Sequence, residues 1–137
     1  MSRSLTITYE FSRLIRRPAE KVFAWCTEYE PEDVRFHPWA RSRRIVSRSE
    51  DEVVIVSGTE DGTKRVVTVK LMPPDRWEAF TDDGVHIIYT LTRVEGGTRF
   101  TFIGTLSDST NIARELMTSA EQTWDRIIPV LEREVSP

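Results

Sequence analysis

The side chains able to do chemistry in this 137-residue chain are few. His37 and His86 are the only histidines. They show no His-x-His or His-Glu-x-x-His spacing, so a metal centre would lack the third ligand it needs. His37 precedes Pro38 and reads as a corner residue, or as a candidate acid or base. His86 falls on the thinner face of its segment, where exposure is expected. Tyr89 falls on the fatter face of the same segment, so its hydroxyl should point into a core or cavity, and a buried phenol needs a partner. It is either a core tyrosine with its tip at a polar rim or a donor to a ligand carbonyl; Tyr89 and His37 are the catalytic candidates. The single cysteine, Cys26, excludes an intramolecular disulfide and a Cys-pair zinc site. On an apolar helical face it behaves as a small hydrophobe, with no neighbouring pattern to make it a nucleophile.

The charged residues are interspersed and the net charge is −3, which gives no footprint for nucleic acid. Arginine outnumbers lysine 16 to 3. Arg41, Arg43, Arg44 and Arg48 gather on one segment. They read as a solvated outer surface balanced by Glu50, Asp51 and Glu52, or as a docking site for an anionic headgroup or a protein partner. Glu28, Glu30, Glu32 and Asp33 crowd a corner at helix ends, where acids are expected on dipole grounds alone. The expected cofactor and metal content is none. Trp25, Trp39, Trp77 and Trp124 are many for this length. Tryptophan lines ligand pockets well but at helical spacing also builds core.

The elements that position these residues follow from periodicity. Residues 3–16 alternate, with Leu5, Ile7, Tyr9 and Phe11 in one phase, which predicts a strand. Pro18 suits a helix start. Ala19, Val22, Phe23 and Cys26 recur at i, i+3, i+4 and i+7, with Trp25 and Tyr29 widening the stripe, which predicts a helix over Ala19–Tyr29. Pro31 opens a second short helix, Glu32–Phe36, closed by His37-Pro38. From residue 41 the period is two. Turn signals fall at 49–51, 60–62, 73–75, 82–84 and 95–97, several with the Asp-Gly or Gly-Gly pairs that tight hairpins use. Six consecutive strands in an antiparallel meander follow. Val67, Val69 and Leu71 share a face, as do Val85, Ile87, Tyr89 and Leu91, and Phe100, Phe102, Gly104 and Leu106. Ser107-Asp108-Ser109-Thr110 is rich in capping residues. After it Ile112, Leu116, Ala120, Thr123, Trp124, Ile127 and Leu131 recur at helical spacing, a helix of six to seven turns that Pro129 should bend.

The predicted class is α+β in the order β-α-α-β6-α, a single domain over 1–137, with about seven antiparallel strands. One sheet covers the stripe of so long a helix only if it curls around it. The longest apolar run, Val53–Val56, is far short of the roughly 20 residues of a membrane span. Met1-Ser2-Arg3-Ser4 lacks an apolar h-region, so the expected address is cytoplasmic.

In this order of elements the chain resembles the SRPBCC superfamily of helix-grip proteins, which includes START lipid-transfer domains, birch-pollen-allergen-type proteins, polyketide cyclases and coenzyme Q-binding proteins. The resemblance covers the whole chain. It is carried by Ile15 to Trp25 (strand, proline, first helix), the Phe36-His37-Pro38-Trp39 corner, Gly96-Gly97-Thr98-Arg99-Phe100 and the closing helix. These are structural habits and specify fold better than function. The resemblance implies a helix-grip fold with an internal cavity holding a lipid, quinone, polyketide or similar small apolar molecule. The residues expected around it are Val67, Val69, Leu71, Ile87, Tyr89, Leu91, Phe100 and Phe102 on the sheet. Leu116, Ala120, Thr123, Trp124 and Ile127 face them from the helix, with Trp39 at the corner. The leading expectation is binding or carriage of a small hydrophobic or aromatic ligand. The alternatives are a cyclase or dehydratase using the same cavity, with Tyr89, His37 and Thr123 as its polar groups, or a protein–protein adaptor docking through Arg41–Arg48. Monomer and dimer are both compatible with this reading.

Overall fold

The computed structural model describes residues 6–29, 40–59, 61–82, 84–107 and 111–137, without the side chains of residues 107 and 111–118. The elements run β1 (Thr6–Ile15), α1 (Ala19–Cys26), β2 (Ala40–Arg48), β3 (Glu52–Thr59), β4 (Lys64–Met72), β5 (Arg76–Thr81), β6 (His86–Val94), β7 (Gly97–Ser107) and α2 (Asn111–Glu134). The seven strands form one antiparallel sheet in the order β1-β7-β6-β5-β4-β3-β2. The meander and its hairpins are as the sequence predicts. Gly62, Gly84 and Gly96 take φ near +88°, the positive angle for which those turns select glycine. At the last hairpin the demand is also steric, since a Cβ on Gly97 would stand 2.2 Å from the Ile15 carbonyl oxygen of β1.

Alternation assigns the faces. Phe11 and Ile15 of β1, Val53 and Ile55 of β3, Val69 of β4, Leu91 of β6 and Phe100, Phe102 and Leu106 of β7 are buried on one side. Ile127, Ile128 and Leu131 of α2 are buried with them, and Ile128 and Leu131 belong to the same core cluster. Pro129 lies inside α2 without ending it. It is on the exposed side, where the carbonyl it leaves unbonded can meet water.

Polar contacts fix α2 against the start of the chain. The Tyr9 hydroxyl donates to Glu121 Oε2 at 2.5 Å, and Arg13 reaches Glu121 Oε1 at 2.5 Å and Asp125 Oδ1 at 2.8 Å. Arg17 donates to the carbonyls of Glu132 and, at 2.8 Å, Val135. A cation on the last carbonyls of a helix satisfies groups that have no partner within it.

The first helix is shorter than predicted. α1 stops at Cys26; the Thr27 amide and hydroxyl bond back to Phe23 O, and Arg48 of β2 donates to Thr27 O at 3.1 Å and to Glu28 O. Tyr29 therefore lies beyond the helix, at φ 53°. The predicted second helix, Glu32–Phe36, falls outside the described residues, as do Glu30, Asp33, His37, Trp39 and the 108–110 part of the capping cluster.

Candidate functional site

Strand register arranges the concave face in ranks. The first rank is Arg43–Ser57–Arg65 across β2, β3 and β4. The second is Ile45–Ile55–Val67–Thr81. The third is Val53–Val69–Ala79–Ile87–Gly104–Tyr9, with small residues at its centre. The fourth is Leu71–Trp77–Tyr89–Phe102–Phe11. Directly opposed residues on one face sit about 5 Å apart at Cβ, so each rank is a continuous strip of side chains.

Aromatic rings fill the fourth rank. Trp77 stacks on Tyr89 at 4.9 Å, Phe11 on Phe102 at 4.8 Å, and Phe100 lies 4.4 Å from Trp124 of α2. Phe23 of α1 meets Trp77 edge-on at 5.7 Å. Beside these rings, where the sheet offers Ala79 and the helix Ala120, packing leaves a cavity of about 160 Å³. That space is on the order of ten times what one water needs. Its walls carry Trp25, Trp77 and Trp124.

Of the residues expected around a cavity, Val67, Ile87, Tyr89, Phe102, Ala120, Thr123, Trp124 and Ile127 are on its wall. Val69, Leu71, Leu91 and Phe100 are not; they belong to or pack against the core beneath it. They share the right face, with Leu71 in the aromatic rank, Leu91 and Phe100 paired one rank beyond it, and Val69 in the third rank beside Ala79. Trp39 and the side chain of Leu116 lie outside the described residues. The wall also holds Cys26, Tyr29, Arg43, Ile55, Ser57 and Arg65, which sequence reasoning did not place there. Period-two alternation could have put Ile55 in phase with Val53, and Arg43 in phase with Ile45. The basic character of Arg43 argued for an outer surface instead.

Two expectations about polar residues need correction. The arginines on β2 do not form one outward patch. Arg43 faces the cavity, with its guanidinium 5.8 Å from the Tyr29 ring centroid, and Arg48 closes the end of α1, while Arg41 and Arg44 are exposed. Inward and outward alternation along the strand separates them. His86 is not simply exposed. Its ring stacks on Phe80 at 4.4 Å, and Nε2 lies 2.8 Å from Glu78 Oε1. Glu78 is 9% exposed and also accepts from Arg76 at 3.0 Å. Burial pushes its carboxyl up, but the bonds from His86 and Arg76 outweigh that and hold it below the usual carboxylate range.

Burial pushes the Tyr89 phenol well up, with Cys26 adding and Arg43 and Arg65 opposing. Burial does the same to Tyr29. Both hydroxyls thus stay protonated, and no hydrogen bond joins the Tyr89 hydroxyl to another described residue. A second depression, of about 260 Å³, lies between α1 and the β5–β6 side, but Glu20, Asp75, Thr92 and Arg93 on its rim are exposed. Among the described residues no cluster of three or more His, Cys, Asp or Glu is placed to hold a metal ion, and no helix is long and apolar enough to cross a membrane.

No protein-family model matches the chain, and no curated protein matches it at a significant level. Solved structures do. The chain superposes on the di-domain ARO/CYC BexL from the BE-7585A biosynthetic pathway with a TM-score of 0.69 at 17% identity, over 95% of this chain and 50% of that one. It spans about half the length of that protein. With Ara h 8.0201 the TM-score is 0.66 at 16% identity, over 92% of this chain and 97% of that one. With protein CV1439 from Chromobacterium violaceum it is 0.65 at 13% identity, covering 91% and 96%. At these identities the likeness is one of fold, and the fold of this chain is the helix-grip α+β fold.

Proposed function

We propose that residues 1–137 act as one unit that binds a small hydrophobic or aromatic molecule between α2 and the concave face of the sheet. The observation that carries this reading is the cavity of about 160 Å³, walled chiefly by aliphatic and aromatic side chains where a core would ordinarily close. Trp25, Trp77 and Trp124 make the protein its own reporter. Titration with a neutral aromatic probe such as pyrene or naphthol should change tryptophan emission saturably. A linear, non-saturating response across such probes would overturn the reading.

A second reading, a cyclase- or dehydratase-like enzyme, is favoured by one observation. Tyr89 lines the cavity and its hydroxyl is held protonated, which suits a hydrogen-bond donor to a substrate carbonyl and not a base. Loss of turnover of a polyketide-like substrate in Tyr89→Phe, with probe affinity retained, would support it. Unchanged turnover would sink it.

A further inference from the structure

The end of the cavity away from the aromatic rank has a different chemistry. Arg43 and Arg65 stand on either side of Ser57, each directly paired with it in register, and all three line the cavity. Ser57 is 2% exposed. Tyr29, in a left-handed conformation that a bulky side chain adopts only under constraint, places its ring 5.8 Å from the Arg43 guanidinium. The field of both arginines extends down the cavity, since both act on the Tyr89 phenol in the fourth rank. The cavity thus carries guanidinium groups at one end and aromatic rings at the other.

We propose that it selects an amphipathic anion: a flat aromatic body carrying a carboxylate, with the carboxylate seated between Arg43 and Arg65 over Ser57. A carboxylate offers one oxygen to each guanidinium, and guanidinium forks match its plane. The body lies along Val67, Ile87 and Tyr89 toward Trp77, with Trp124 and Ile127 above it. The first and fourth ranks are six residues apart on β4, roughly 20 Å along the strand. Less the reach of the arginine stems, this suits a body of roughly two or three fused rings. The proposal deepens the ligand-binding reading above and rests on it.

The test uses matched pairs read by tryptophan emission at neutral pH, naphthoate against naphthamide and anthracene carboxylate against its carboxamide. Wild type should bind each acid at least about tenfold more tightly than its amide. Arg43→Met and Arg65→Met should each bring acid and amide to within about threefold, chiefly by weakening the acid. Where a Met variant fails to fold by circular dichroism, the Lys variant at that position replaces it; it should lose part of the preference, because a point charge lacks the fork. Equal binding of acid and amide by wild type, or a preference that survives all these variants, would overturn the anion proposal and leave the ligand-binding reading standing. Silence of acids and amides alike in wild type would overturn the ligand-binding reading itself.

Discussion

Glu78 is the residue where burial and charge conflict most openly. It is nearly buried on the face of the sheet away from α2, and bonds from His86 and Arg76 keep it ionised. Its folded pKa is depressed, so its contribution to stability is present above the unfolded value and is lost as pH falls through the folded one. Glu78→Gln should therefore cost about 1 kcal/mol in urea unfolding at neutral pH. The difference from wild type should close as the solution is acidified below about pH 4. A gap unchanged by acid would show that the loss is steric. Tyr89 is the opposite case, a half-buried tyrosine whose ring packs against the core. Tyr89→Phe should leave stability within about 1 kcal/mol and the affinity for neutral probes within about twofold, by unfolding and fluorescence titration. The sequence marks Tyr89 through the alternation of β6. It does not mark Glu78, because nothing local says that His86 of the next strand will lie beside it. Arg43 is hidden for a related reason: charge favours the outside and outweighs its phase with Ile45, and pairing with Ser57 shows that its strand turns it inward.

At the scale of elements, the strands were legible because each hairpin announces itself with glycine, proline or acidic pairs, and because alternation survives in β1, β4, β6 and β7. The end of α1 was not. Its apolar stripe continues through Tyr29, whereas the helix stops at Cys26 because Thr27 bonds back to Phe23 and Arg48, distant in sequence, takes the carbonyls beyond. The seating of α2 is set by burial at one end and ion pairs along its flank. Leu131, fully buried, should cost about 2–5 kcal/mol on truncation to alanine, read from the shift in urea midpoint. Gly97→Ala tests the last hairpin. A methyl group 2.2 Å from the Ile15 carbonyl must displace β1 or β7, so the melting temperature should drop by several degrees. A neutral substitution would show that the hairpin has slack not apparent in its register.

The whole molecule is a curved wall of seven strands with one long helix laid across it, and its interior is solid beneath Trp77 and Phe100 and hollow beside Ala79 and Ala120. The sequence could rank which residues face inward. It could not say where inward-facing residues fail to meet, because a void depends on the summed volumes of side chains from six strands and two helices. That is why Val69, Leu71, Leu91 and Phe100 were expected at the cavity and lie in the core. The central claim is that the void is a binding site. It is tested most directly by purifying wild type and Ala120→Trp in parallel from the natural host, denaturing both, and identifying released small molecules by mass spectrometry. The account predicts a near-stoichiometric apolar or aromatic compound from wild type and little or none from Ala120→Trp, whose indole fills the space while the fold is retained. Equal recovery of the same compound from both proteins, or its absence from wild type, would contradict it.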